Sequence, residues 1–109
     1  MRIWDIPPEK LCRQHLLGEH RELHAIWNII SKDKKGYSNH PETKRWKGKL
    51  KALYLRHEKL VDEMKKRGYN HNSSLEAGLA LGKEYQSEYV DSIGTQIQIL
   101  KNKMCECKV

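Results

Sequence analysis

Wound at 100° per residue, Cys12, Leu16, Leu23, Ile26, Trp27 and Ile30 fall on one face, which predicts an amphipathic helix. Pro8 suits a first helical turn, where its missing N–H costs nothing, so the helix is predicted over residues 8–30. Glu19 falls inside the apolar face with no evident partner. Residues 31–40, with charges, Gly36 and Asn39, read as a loop. Asn39 before Pro41 and Glu42 reads as an N-cap followed by an acidic first turn. Trp46, Leu50, Leu53, Leu60 and Met64 then form a second apolar face. Lys65, Lys66 and Arg67 complement the dipole at its C-terminal end, and Gly68 is the expected left-handed residue just beyond.

Ser73 and Glu76 have capping-box spacing, while Gly78 and Gly82 leave the next turns unassigned. From Lys83 a third stripe runs through Tyr85, Tyr89, Ile93, Ile97, Leu100 and Met104. No segment sustains strand-type alternation. The expectation is an all-α fold, a single compact three-helix domain over residues 1–109 with a short N-terminal arm and a frayed tail. No run approaches the ~18 apolar residues of a membrane span. Asp5, Pro7, Pro8 and Glu9 stand where a targeting segment would be apolar. An intracellular monomer without a membrane partner is the reading.

Charge sharpens this picture. The net charge is +7, and the surplus is local: residues 32–72 hold 13 basic and 5 acidic side chains, while the flanking thirds are near balance. Lys44, Arg45, Lys47, Lys49 and Lys51 lie close together. Such a segment suits a polyanion, either nucleic acid or an acidic membrane surface, and equally a solvated lysine-rich helix face. The three cysteines form no secreted disulfide framework. Cys12 is read as a packed thiol, and Cys105 and Cys107 as part of a loose tail without further ligands. His20 and His24 are four apart and could hold a metal, but no third ligand recommends itself, and exposed histidines are the reading.

The polar edge of the first helix carries the candidate chemistry. Gln14, Gly18, Arg21 and Ala25 share one side, with His15 and Glu22 between it and the apolar face. His15 and Glu22 are two turns apart, about 10 Å along the axis. Small Gly18 and Ala25 leave open surface beside Glu22, a carboxylate placed to act as acid or base, or to pair with Arg21 or His15.

Gln14-His15-Leu16 followed by Glu19-x-Arg21-Glu22-Leu23 resembles the signature helix of the pyrimidine-dimer DNA glycosylases with abasic-site lyase activity, the phage endonuclease V type. Arg2-Ile3 stands at the matching distance upstream. Lys49-Leu50, and Arg56 through Lys66-Arg67-Gly68-Tyr69-Asn70, resemble the family's second core helix. The resemblance covers about residues 1–72.

It implies an enzyme that excises cyclobutane pyrimidine dimers from duplex DNA through an imine on the N-terminal amine, then opens the abasic site by β-elimination. Glu22 falls on the family's catalytic glutamate, and Met1 occupies the nucleophile position. Arg2, Gln14, His15 and Arg21 fall on DNA-holding positions, and no cofactor or metal is implied. Three departures stand out, the first being that the family's nucleophile is a threonine exposed by removal of the initiator methionine, whereas here bulky Arg2 is expected to keep Met1 in place. A family arginine is replaced by Ala25, with Lys44, Lys47 or Lys51 as substitutes in DNA binding, and the aromatic, basic C-terminal segment has no counterpart. A basic module that binds nucleic acid without chemistry, or a glycosylase for another lesion, would share the same charge pattern.

Overall fold

The structure, a computed structural model, describes residues 2–33, 39–71, 74–103 and 105–109. It is all-α: α1 (Arg13–Ser31), a single turn α2 (Pro41–Lys44), α3 (Leu50–Lys66) and α4 (Ile93–Asn102), with 3₁₀ turns at Pro8–Lys10 and Ala77–Leu79. Among the described residues no helix is long and apolar enough to cross a membrane. α1 and α3 pack on each other through Leu16, Leu23, Ile26 and Trp27 on one side and Leu53, Leu60 and Met64 on the other. Both apolar faces therefore match their periodicity.

The boundaries differ where tertiary bonds compete with helix. The first helix begins at Arg13, because Leu11 and Cys12 are extended and Leu11 is buried in the core. The Arg67 guanidinium donates to the carbonyls of Pro8 and Leu11, groups that a continuous helix would have used itself. The predicted second helix splits into α2 and α3. His40, not Asn39, caps α2: its Nδ1 accepts the Glu42 N–H. The third helix is confined to Ile93–Asn102, capped by Ser92, whose Oγ accepts the Thr95 N–H. Residues 83–91 are not helical, and Tyr85 and Tyr89 are exposed. That segment is instead tied to the α2–α3 junction. Arg45 donates to the Glu88 carbonyl and Gln86 donates to the Arg45 carbonyl. Gly36, Ser73 and Met104 lie outside the described residues.

Over their described residues, both the arm and the tail are docked. In the arm, the N–H groups of Ile3, Trp4 and Asp5 donate in turn to Glu42, Glu19 and Gln96, one acceptor from each of α2, α1 and α4. Ile3, Trp4 and Ile6 are buried. The tail docks too: the Lys108 N–H donates to the Lys10 carbonyl, and Cys107 and Val109 pack against the core. Pairing these three N–H groups with buried acceptors avoids the penalty of an orphaned backbone group.

The start of α3 has no side-chain cap; the Leu81 and Lys83 carbonyls accept from the Lys51 and Ala52 N–H groups instead. Gly82, between them, has φ +90°, and a Cβ there would sit 2.2 Å from the Gly48 carbonyl oxygen. Backbone cannot yield as a flexible side chain can, so Gly82→Ala is expected to cost about 2–4 kcal/mol in urea unfolding. Gly68 supplies a control. It ends α3 in a Schellman motif (Gly68 N–H to Lys65, Tyr69 N–H to Met64) at φ +78°, with open space around it. Gly68→Ala should therefore cost only about 1–2 kcal/mol, the strain without the clash.

Candidate active site

The arm crosses the N-terminal half of α1 and leaves a cleft of about 410 Å³, lined by Arg2, Trp4, Gln14, His15, Gly18, Glu19 and Glu22. Four of the residues expected from sequence, Arg2, Gln14, His15 and Glu22, thus share one cavity. A Cβ added at Gly18 would meet nothing within 4 Å, so the glycine keeps the cleft open beside Glu22. Trp4, which sequence reasoning missed, is buried against it. The Arg2 guanidinium lies 5.0 Å from the Trp4 ring centroid, and the His15 ring meets Trp4 edge-on. Arg2 also pairs with Asp91 at 2.9 Å, which fixes it at the rim. Met1 lies outside the described residues, one peptide unit beyond Arg2.

Beneath the cleft lies Glu19, the carboxylate without an evident partner in sequence. Its partner is Arg56 of α3, held bidentately at 2.6 and 3.0 Å, with the Trp4 N–H as a third donor. Burial pushes the Glu19 pKa up, against the downward pull of Arg56 and the Trp4 N–H. Glu19 is thus the beam that ties the arm, α1 and α3 together below Glu22.

The basic middle third divides into two groups. Arg45 is buried against Glu42 and Asp5 and Lys49 against Gln86, while half-buried Arg56 pairs with Glu19 and half-buried Arg67 with Glu63. These cations hold the fold together, so the charge run is not one solvated surface. Lys44 and Lys47 are exposed and Lys51 is half-buried beside Tyr54. Arg21 is exposed next to Glu22 on α1. None of these four lines the cleft. A larger groove, about 770 Å³, is lined by four carboxylates (Asp5, Glu58, Asp62, Glu84) against Arg56 and Lys59, a poor surface for a polyanion.

Two further clusters lie along α1, one sharing His15 with the cleft and the other facing α3. Cys12 is not packed in the core. Its Sγ lies 3.0 Å from His15 Nδ1, Cys107 Sγ lies 3.3 Å from the same nitrogen, and Cys105 completes the group. On the neighbouring stretch of α1, His20 and His24 are met by His57 of α3 and by His71. His20 and His24 are therefore half-buried rather than exposed, and tertiary structure supplies the neighbouring imidazoles that sequence could not name. Burial, then the adjacent imidazoles, lower His20 to about 4, so its ring is neutral at physiological pH.

The fold and cleft define a small all-helical protein in which an ordered N-terminal arm and the first long helix bring a carboxylate, a cation and amide and imidazole groups into one polar cavity. The chain belongs to the pyrimidine dimer DNA glycosylase family, whose sequence model matches residues 1–77. That span contains the arm, α1, α2, α3 and every lining residue of the cleft. No curated protein and no solved structure matches the chain.

Proposed function

We propose that this protein excises pyrimidine dimers from duplex DNA with the α-amine of Met1 as nucleophile, and then cleaves the abasic strand as a lyase. The observation that carries the reading is the cleft shared by Arg2 and Glu22, which lies one residue from that amine and is reached by an arm pinned at three successive N–H groups. An α-amine has an ordinary pKa of about 7.7–8.0, so a useful fraction is unprotonated at neutral pH. It attacks C1′ of the damaged nucleotide, the base departs with the glycosidic electron pair, and the opened sugar forms an imine. Loss of a C2′ proton then expels the 3′ phosphate, and water releases the amine.

Glu22 moves the protons of these steps and offsets positive charge developing on the sugar. Arg2, Gln14 and the outward edge of His15 hold the extruded nucleotide. Arg21, Lys44, Lys47 and Lys51 contact phosphates beyond the cleft. Extrusion costs least where stacking is already disturbed, which favours a lesion.

Borohydride trapping tests this reading. With abasic-site DNA the reduced imine is expected as a covalent adduct at the N-terminal residue, and acetylation of the α-amine should abolish it. Intact adduct mass and peptide mapping identify the linked residue. DNA binding with no adduct would identify a binding module without chemistry and overturn the proposal. Affinity should also fall steeply with salt, with a log–log slope near −0.9 for each phosphate contacted.

A further inference from the structure

We propose that the chain binds two zinc ions in closed four-ligand centres, one formed by His20, His24, His57 and His71 where α1 meets α3 and the other by Cys12, His15, Cys105 and Cys107 at the start of α1.

The histidine centre rests on its geometry. His20, His24 and His57 bring their Nε2 atoms to 3.2 Å from one another, and His71 Nε2 lies 3.1 Å from that of His20. Metal–nitrogen bonds of about 2.0–2.1 Å place the corners of a tetrahedron about 3.3 Å apart, so one ion at the centre reaches all four. The ligands come from one turn of α1, from α3 and from the segment after α3. His57 Nδ1 lies 3.0 Å from Glu58, the outer carboxylate that orients a ligating imidazole and raises its basicity. Imidazole suits zinc, copper, iron and nickel alike, and it is the compact four-nitrogen array, matching a tetrahedron, that points to zinc.

The thiolate centre is carried independently, by donor chemistry. Three cysteines and one histidine form a recurrent structural zinc set, and here all four ligand atoms lie within 4.8 Å of one another. Cys12 and His15 sit at the start of α1, while Cys105 and Cys107 come from the docked tail. The Cys12 N–H donates to Cys107 Sγ, a contact that steadies a thiolate. Ligation through Nδ1 leaves His15 with its proton on Nε2 and still lining the cleft. Four protein ligands leave neither ion an open position, so both centres clamp α1 rather than perform chemistry.

The test is metal content of the full chain, refolded with one added divalent ion and freed of excess. Two equivalents of zinc are expected by elemental analysis. The cobalt(II) form should show a thiolate-to-cobalt band in the near ultraviolet. The Cys105→Ser, Cys107→Ser double variant should lose one equivalent together with that band. His71→Asn, a half-buried site beyond α3, should lose one equivalent and keep the band; circular dichroism checks that each variant is folded. A single equivalent with the band overturns the histidine centre, and a single equivalent without it overturns the thiolate centre. No bound metal in the folded parent overturns both. A parent chain lighter by two hydrogens, with its thiols oxidised under metal-loading conditions, also overturns the thiolate centre.

Discussion

In a Glu22→Gln protein, the proposed strand cleavage at an abasic site is expected to fall by about 100-fold or more, with affinity for the same DNA unchanged. The substitution keeps the shape of the side chain and removes its charge and its capacity to take up and release a proton. Glu22 is half-exposed at the cleft, whereas the carboxylates that hold the arm are Glu19 and Glu42, both buried. Thermal unfolding of the variant should therefore match the parent. Single-turnover cleavage separates the chemical steps from product release, and a binding titration supplies the affinity. Equal losses of cleavage and affinity, or a lowered unfolding midpoint, would make Glu22 a structural residue.

The largest effect on stability is expected at Arg56. Arg56→Met keeps most of the volume but leaves Glu19, whose side chain is fully buried, with the Trp4 N–H as its remaining donor. Stranding one member of a buried ion pair costs about 3–5 kcal/mol, a large share of the stability of a small domain. The pH dependence follows from the direction of the Glu19 shift. Burial raises its folded-state pKa above the ordinary value of 4.5, and loss of Arg56 raises it further. The folded variant then holds its proton more tightly than the unfolded chain. That contribution is fully present below the ordinary value and is lost as pH climbs through the raised one.

Urea midpoints for Arg56→Met should therefore fall further behind the parent as pH rises from mildly acidic to neutral. Adding Glu19→Gln removes the stranded charge and should flatten that dependence. A deficit that is independent of pH in the single variant would mean that packing, not charge, dominates at Arg56.

How far the sequence could be read depended on the range of the bonds involved. The faces of α1 and α3 were legible because helical periodicity is local: apolar residues recurring every three or four positions need one buried side whatever covers it. Gly68 was legible as a terminator for the same reason. The cleft was partly legible, since Gln14, His15, Gly18 and Glu22 share one edge of one helix. The stripe from Tyr85 onward misled because spacing reports which residues could share a face, not whether the backbone is free to coil. Residues 83–91 are held by Arg45 and Gln86 in another path.

By itself the sequence determined the helical class, the two principal apolar faces and the helix edge that bears Glu22, all consequences of residues within a few turns of each other. Tertiary structure alone decided which cations are spent inside the fold, what balances Glu19, that Trp4 borders the cleft, and that four histidines and a Cys–His group each converge on a point. The decisive pairings are long-range: Trp4 with Glu19 across 15 residues, Arg56 with Glu19 across 37 and Cys12 with Cys107 across 95. Burial and charge balance select such partners only once the chain has closed on itself, and no local pattern records the choice.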